Sequence, residues 1–305
     1  FGFMNGSNYY ERLAPDVTSY DYDALLTEWG EPTAKYQAFK KVIADYAEIP
    51  EFPLSMKIER KAYGTFSVKE RVSLFSTIDT ISQPIISNYP LSMEACNQAT
   101  GYIYYRSLIG PARKIADYRL INTMDRAHTF INQELLRIDY DQEIDQTYSF
   151  DLSESENELG ILVENMGRVN YSVKMNHQHK GIKDGVIING AFQSNWEIFP
   201  LPMDNLHAID FQGKWQKGQP SFSRFECVFD ECADTFIELP GWGKGFVQVN
   251  GHTIGRFWEK GPQQRLYVPA PFLKTGMNEI IVFESDGKIA DEIVFHDQAD
   301  LGPEA

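Results

Sequence analysis

Residues 245–258 read GFVQVNGHTIGRFW. The runs 245–249 and 254–258 have strand length and are rich in aromatic and β-branched residues. Asn250-Gly251 between them suits the two positive φ angles of a type I′ turn. This is the pattern of a β-hairpin. Working outward, short runs of the same kind fall at 222–229, 235–239, 264–268 and 279–284. Others lie upstream at 102–108, 127–131, 135–140, 160–164, 186–188 and 196–199. Many short strands divided by turn signals predict a mainly β protein built of β-sandwich or jelly-roll domains.

The first 48 residues differ. Gly30, Pro32 and Thr33 form a helix-start signal. Tyr36, Phe39, Val42, Ile43 and Tyr46 then recur at spacings of three and four, with Lys35, Lys40, Lys41 and Asp45 between them. This predicts one amphipathic helix ending near Ile49 and Pro50, the single strong helix of the chain. Residues 50–53 (PEFP) read as a linker, since the residue before a proline avoids the helical region. The expected layout is 1–48 helical, 49–88 a connector able to pair with a β domain, 89–205 a first all-β domain and 206–305 a second. The 206–218 stretch is polar and lacks strand periodicity.

The chain has 305 residues, 43% hydrophobic and 23% charged, an ordinary globular composition that excludes a disordered chain. The net charge of −15 argues against nucleic acid and anionic membranes as partners. Neutral substrates, sugars above all, remain. No apolar run approaches the roughly 18 residues of a membrane-spanning helix. Three cysteines, Cys96, Cys227 and Cys232, cannot all pair within one chain; reduced thiols are expected, a weak pointer to the cytoplasm. The sequence begins at Phe1 rather than Met, so the natural N-terminus is expected upstream.

Asp21 and Asp23, if extended, share one face and could form a carboxylate pair; loop-anchoring hydrogen bonds are the preferred reading. His177 and His179 lack a third ligand at metal-site spacing, so no metal is expected. Gly241, Gly243 and Gly245 lie between strands with no helix after them, which is a loop rather than a dinucleotide site. Trp242, Phe257, Trp258 and Tyr267 could form a sugar platform, although aromatics at strand spacing more often fill a core. The cluster at 164–171 (ENMGRVNY) ends a strand with dense polar groups. It could hydrogen-bond a sugar, or an Arg–carboxylate fork could hold a loop at a domain junction.

Several stretches resemble the β-galactosidases of glycoside hydrolase family 35. They are 1–6 (FGFMNG), 18–24 (TSYDYDA), 32–36 (PTAKY), 162–171 (LVENMGRVNY), 196–201 (WEIFPL), 239–245 (LPGWGKG), 249–251 (VNG), 255–258 (GRFW) and 261–263 (GPQ). They run in the family's order over nearly the whole chain. The resemblance implies that 1–48 is a short remnant of a (β/α)₈ barrel, followed by galactose-binding-like β domains. It implies removal of terminal β-linked galactose with retention, by two glutamates and without metal or organic cofactor. Both glutamates would lie upstream of Phe1, so no catalytic residue is expected in this chain, and the chain alone is expected to be inactive. Tyr22 matches a tyrosine that contacts galactose, with Tyr20 and Asp21 supporting it. Tyr171 is expected on the leaving-group side. Trp242, Trp258 and Arg256 look structural. The implied partners are a β-galactoside and the missing N-terminal barrel, with a homodimer surface as a further expectation. A carbohydrate-binding or oligomerisation module is the alternative.

Overall fold

The computed structural model describes residues 24–49, 59–140, 143–168, 173, 175–261 and 263–302. Helix α1 (Ala34–Ala44) starts where the sequence predicts it: the Thr33 hydroxyl caps it by accepting the Tyr36 N–H at 3.3 Å. Strands β1 (Gly64–Ser67) and β2 (Glu70–Ser73) follow, then α2 (Leu74–Ile81). Next come β3 (Ile85–Ser87), β4 (Tyr102–Gly110), β5 (Lys114–Met124), β6 (Arg126–Ile131) and β7 (Glu134–Tyr140). After these lie β8 (Tyr148–Asp151), β9 (Asn157–Glu164), β10 (Gly181–Ile188), β11 (Ala191–Phe192) and β12 (Trp196–Leu201). The last strands are β13 (Ser221–Phe229), β14 (Thr235–Glu238), β15 (Lys244–Val249), β16 (His252–Trp258), β17 (Arg265–Val268), β18 (Gly276–Glu284) and β19 (Glu292–His296). The protein is mainly β.

The chain divides into two units: Val72–Ser221, and the segments before and after it taken together. The Val72–Ser221 unit holds a four-stranded sheet, β11-β10-β5-β8, and a six-stranded sheet, β3-β12-β4-β9-β6-β7. Ile115, Tyr118, Leu120, Ile182 and Val186 from the first meet Ile103, Tyr105, Leu159, Ile161, Val163 and Trp196 from the second in one buried core. Strands β4 (Ile103, Tyr105) and β9 (Leu159, Ile161, Val163) contribute alternate residues to that core, as a sandwich requires.

The second unit pairs β1-β19-β14-β17 with β16-β15-β18-β13-β2. Its core holds Phe225, Phe229, Ile237, Val247, Val249, Val282, Ile293 and Phe295. The β15–β16 hairpin turns at Asn250 and Gly251, whose φ angles are +47° and +87°. Both are positive, as the Asn-Gly signal predicts.

The structure redraws parts of the expected layout. Residues 72–88 carry α2 and β3 and belong to the first sandwich, while β1 pairs with β19 in the other unit. The chain crosses back at Ser221 rather than at 205. The 206–220 stretch is anchored to the sandwich instead: the Asp210 N–H donates to Thr77 Oγ1 at 2.8 Å, and the Leu74 N–H donates to the Pro220 carbonyl at 2.7 Å. Helix α2 is a second helix that the sequence reading does not predict. It buries Leu74, Thr77 and Ile78, and Phe75 packs edge-on against Phe130 at 5.1 Å.

Candidate functional site

A polar cluster tied by many hydrogen bonds lies at the end of β9. Glu164 closes the strand, facing Tyr102 of β4 and Arg126 of β6, and is fully buried. Arg126 Nη1 lies 3.9 Å from Glu164 Oε2 and 3.0 Å from His128 Nε2. Beyond the strand, successive residues of the loop are tied down. The Asn165 N–H donates to the Gly101 carbonyl at 3.1 Å, and its Nδ2 donates to the Ala99 carbonyl at 2.9 Å. Its Oδ1 accepts the Gly167 N–H at 3.0 Å. The Met166 N–H donates to Asp125 Oδ2 at 2.7 Å.

Arg168 ends the loop as a donor fork. Nη2 donates to Glu94 Oε1 at 2.7 Å and to the Ala99 carbonyl at 3.1 Å, and Nη1 donates to the Gln178 carbonyl at 3.3 Å. Glu94 also accepts the Lys180 N–H on both oxygens, each at 3.1 Å. Lys180 Nζ in turn donates to both oxygens of Asp125 at 2.7 Å. Lys180 is 1% exposed, so its ammonium lies out of water.

Burial sets the electrostatics here. Desolvation lifts the Asp125 carboxyl above its ordinary range against the pull of Lys180. Desolvation likewise lowers the Lys180 ammonium against the pull of Asp125. For Glu94, burial pushes upward but the Arg168 fork and the Lys180 amide outweigh it, leaving that carboxyl below its ordinary range. The arrangement ties residues 165–168 to the loop at 94–101 and to Lys180 and Asp125. These donors and acceptors serve the protein itself, which favours the Arg–carboxylate tie over direct sugar contact by residues 164–168.

The expected substrate residues Tyr22 and Tyr171, with Tyr20, Asp21 and Asp23, lie outside the described residues. His177 is exposed, and His179 Nδ1 is 3.7 Å from Glu94 Oε2. Among the described residues, no group of three His, Cys, Asp or Glu side chains could hold a metal. Cys96, Cys227 and Cys232 are free.

Of the four aromatics of the expected sugar platform, Trp242 and Phe257 lie in the core, while Trp258 and Tyr267 are half-buried. Trp242 is 3% exposed, packs edge-on against Phe257 at 6.2 Å and donates Nε1–H to the Glu292 carbonyl at 2.8 Å. Lys244 Nζ and Lys260 Nζ each sit 4.9 Å from the Trp258 ring. The Tyr267 hydroxyl donates to Asp234 Oδ2 at 2.5 Å. The alternating glycines have packing reasons. A Cβ on Gly245 would lie 1.7 Å from the Phe283 carbonyl of β18. The Gly243 N–H donates to Glu284 Oε2 at 2.8 Å.

Sequence reasoning missed Glu94, Asp125 and Lys180, which hold the β9 end from distant positions. It also missed Glu284, a fully buried carboxyl in the second unit. Desolvation, with Asp286 nearby, pushes it up to about 7 although the Gly243 and Asp286 amides donate to it.

Three family descriptions match in chain order. "Glycosyl hydrolases family 35" covers residues 1–46, "Beta-galactosidase, first all-beta domain" covers 90–202, and "Beta-galactosidase, galactose-binding domain" covers 220–278. The chain belongs to glycosyl hydrolase family 35. Among its relatives in that family, human "Beta-galactosidase-1-like protein 2" is 34% identical over 93% of this chain and 46% of its own length. "Beta-galactosidase 8" of Oryza sativa subsp. japonica is 35% identical over 93% of this chain and 50% of its own. "Beta-galactosidase" of Xanthomonas manihotis is 34% identical over 88% and 45%. This family 35 chain therefore spans about half the length of the curated relatives it matches. The 90–202 match lies within the first sandwich, and the 1–46 match contains α1.

Proposed function

We propose that this chain is the C-terminal part of a retaining β-galactosidase that hydrolyses terminal non-reducing β-D-galactose residues. One observation carries the reading. Helix α1 lies in the segment that matches the family 35 description, yet no residue of it is buried. Along it and just beyond, Phe39, Val42, Ile43 and Tyr46 are 50%, 59%, 49% and 87% exposed. An apolar stripe at helical spacing is a packing face. In this reading it packs on the remainder of a (β/α)₈ barrel.

The reaction then belongs to two glutamates at the ends of barrel strands upstream of Phe1, with carboxyls about 5–5.5 Å apart. One attacks the anomeric carbon while the other protonates the leaving oxygen. The second then takes a proton from the water that releases the sugar, and no metal or organic cofactor enters. Tyr22 hydrogen-bonds galactose beside the nucleophile, held by Tyr20 and Asp21. Tyr171 approaches from the leaving-group side. The tied segment from Asn165 to Arg168 supports that role, because it fixes the chain three residues before Tyr171.

The test offers a chromogenic aryl β-galactoside to the chain alone and to the chain with its upstream barrel restored. Release by the restored protein only is the expected result. Release by the chain alone, lost in Asp21→Asn or Asp23→Asn, would overturn the proposal.

A further inference from the structure

The six-stranded sheet of the first sandwich has a second face, opposite its core. Phe75 of α2 covers that face around Tyr104 and Phe130. Elsewhere on this face, cross-strand pairing sets Glu197 beside Arg106 and Arg106 beside Gly160, with Glu158 beside Leu108 on the neighbouring rung. Arg106, Leu108, Glu158, Asn195 and Glu197 line a cleft of about 480 Å³ there.

The cleft has a fixed centre. The Arg106 guanidinium lies 5.1 Å from the Phe199 ring centroid, and its Nε donates to Glu197 Oε2 at 2.6 Å. Glu158 Oε2 is 3.9 Å from the same nitrogen, too far for a hydrogen bond. Among the described residues, the terminal nitrogens of Arg106, the Glu158 carboxylate and the Asn195 side-chain amide have no hydrogen-bond partner. Beside Arg106 the floor is the Tyr104 hydroxyl, which lies over Gly160 where a Cβ would clash with it. Leu108, 58% exposed, supplies an apolar wall.

We propose that this cleft is a binding subsite for a neutral saccharide, distinct from the hydrolytic site. Donors (Arg106, Asn195) and acceptors (Glu158, Asn195) converge beside an apolar wall. That mixture matches the vicinal hydroxyls and C–H edge of a pyranose. The two carboxylates against one guanidinium repel anions, and the cationic probe below separates a neutral ligand from a cation. The cleft volume falls in the range of roughly 300–1,000 Å³ usual for small-molecule sites.

The experiment titrates the ¹⁵N-labelled 305-residue chain with methyl β-D-galactopyranoside, methyl β-D-glucopyranoside and, as a cationic probe, agmatine. Saturable amide shifts at Ser107, Leu108, Glu158 and Glu197 with either glycoside are expected. Arg106→Gln and Asn195→Gly should each weaken that binding by about tenfold. Glycine suits position 195, where φ is +62°, and an unchanged spectrum away from the cleft establishes that each variant is folded. The proposal is overturned by no saturable shift with either glycoside, by saturation with agmatine alone, or by glycoside binding undiminished in both variants. None of these outcomes depends on whether the chain hydrolyses a galactoside.

Discussion

Asp125 in the first sandwich and Glu284 in the second are largely desolvated carboxyls that each accept backbone N–H groups, one for Asp125 and two for Glu284. Asp125 takes the Met166 N–H and, on both oxygens, the Lys180 ammonium. Glu284 takes the Gly243 N–H at 2.8 Å and the Asp286 N–H at 2.6 Å. Desolvation raises both carboxyls above their ordinary range. The difference lies in what each carboxyl leans on. Asp125 depends on one cation that is itself desolvated, so losing the partner is costly. Glu284 is held through amides and is brought to the point of gaining a proton near neutrality, so the solvent's pH acts on it directly.

The largest expected effect breaks the first arrangement. Lys180→Met leaves Asp125 without its ammonium and should cost about 3–5 kcal/mol in urea unfolding. The double variant Lys180→Met with Asp125→Leu should recover much of that loss. A single variant as stable as the parent would mean that the pair adds nothing to the fold.

The next effect belongs to Glu284. In the unfolded chain it ionises near 4.5, and in the folded chain near 7. Its stabilising contribution is therefore complete below pH 4.5 and is lost as pH rises through 7. The loss is about 3 kcal/mol across that window. Stability measured from pH 4.5 to 8 should fall less steeply in Glu284→Gln than in the parent. Parallel curves would remove Glu284 as the group responsible.

The smallest effect sharpens the contrast at the edge of the first site. Arg168→Lys keeps the charge but loses the planar fork across Glu94, Ala99 and Gln178. Both side chains of that ion pair are about one-third exposed, at 36% and 32%. The expected cost is about 1 kcal/mol by thermal unfolding, well below that of Lys180→Met.

What the sequence could show depended on how local each signal was. The Asn250-Gly251 turn was legible because two adjacent residues specify it. Strand β5 was not, although it runs from Lys114 to Met124. A register shift between Ile115 and Tyr118 moves its core residues from odd to even positions, which destroys the alternation a reader looks for. Helix α2 shows its Leu74, Thr77 and Ile78 spacing over only eight residues, too short to outweigh a connector reading. At the candidate site, the polar density of 164–168 was visible, but its partners were not. Lys180 and Asp125 are 55 positions apart, and only the pairing of β5 with β10 brings them together. The reading of Trp242 as structural succeeded because a core tryptophan still needs its N–H satisfied, and Glu292 supplies the acceptor.

The second unit closes only when its most distant strands meet. Gly64 of β1 pairs with Phe295 of β19, roughly 230 residues later. At ribosomal speeds of about 5–20 residues per second, that interval lasts roughly 10–45 s. The sandwich between them emerges whole in the meantime and can fold while the ribosome is still working. Tyr63 and Phe66 cannot reach their ring partners Phe229 and Phe295 until those residues are made. During synthesis, these two rings and the bare edge of β1 are the parts of the nascent chain most in need of a chaperone's cover.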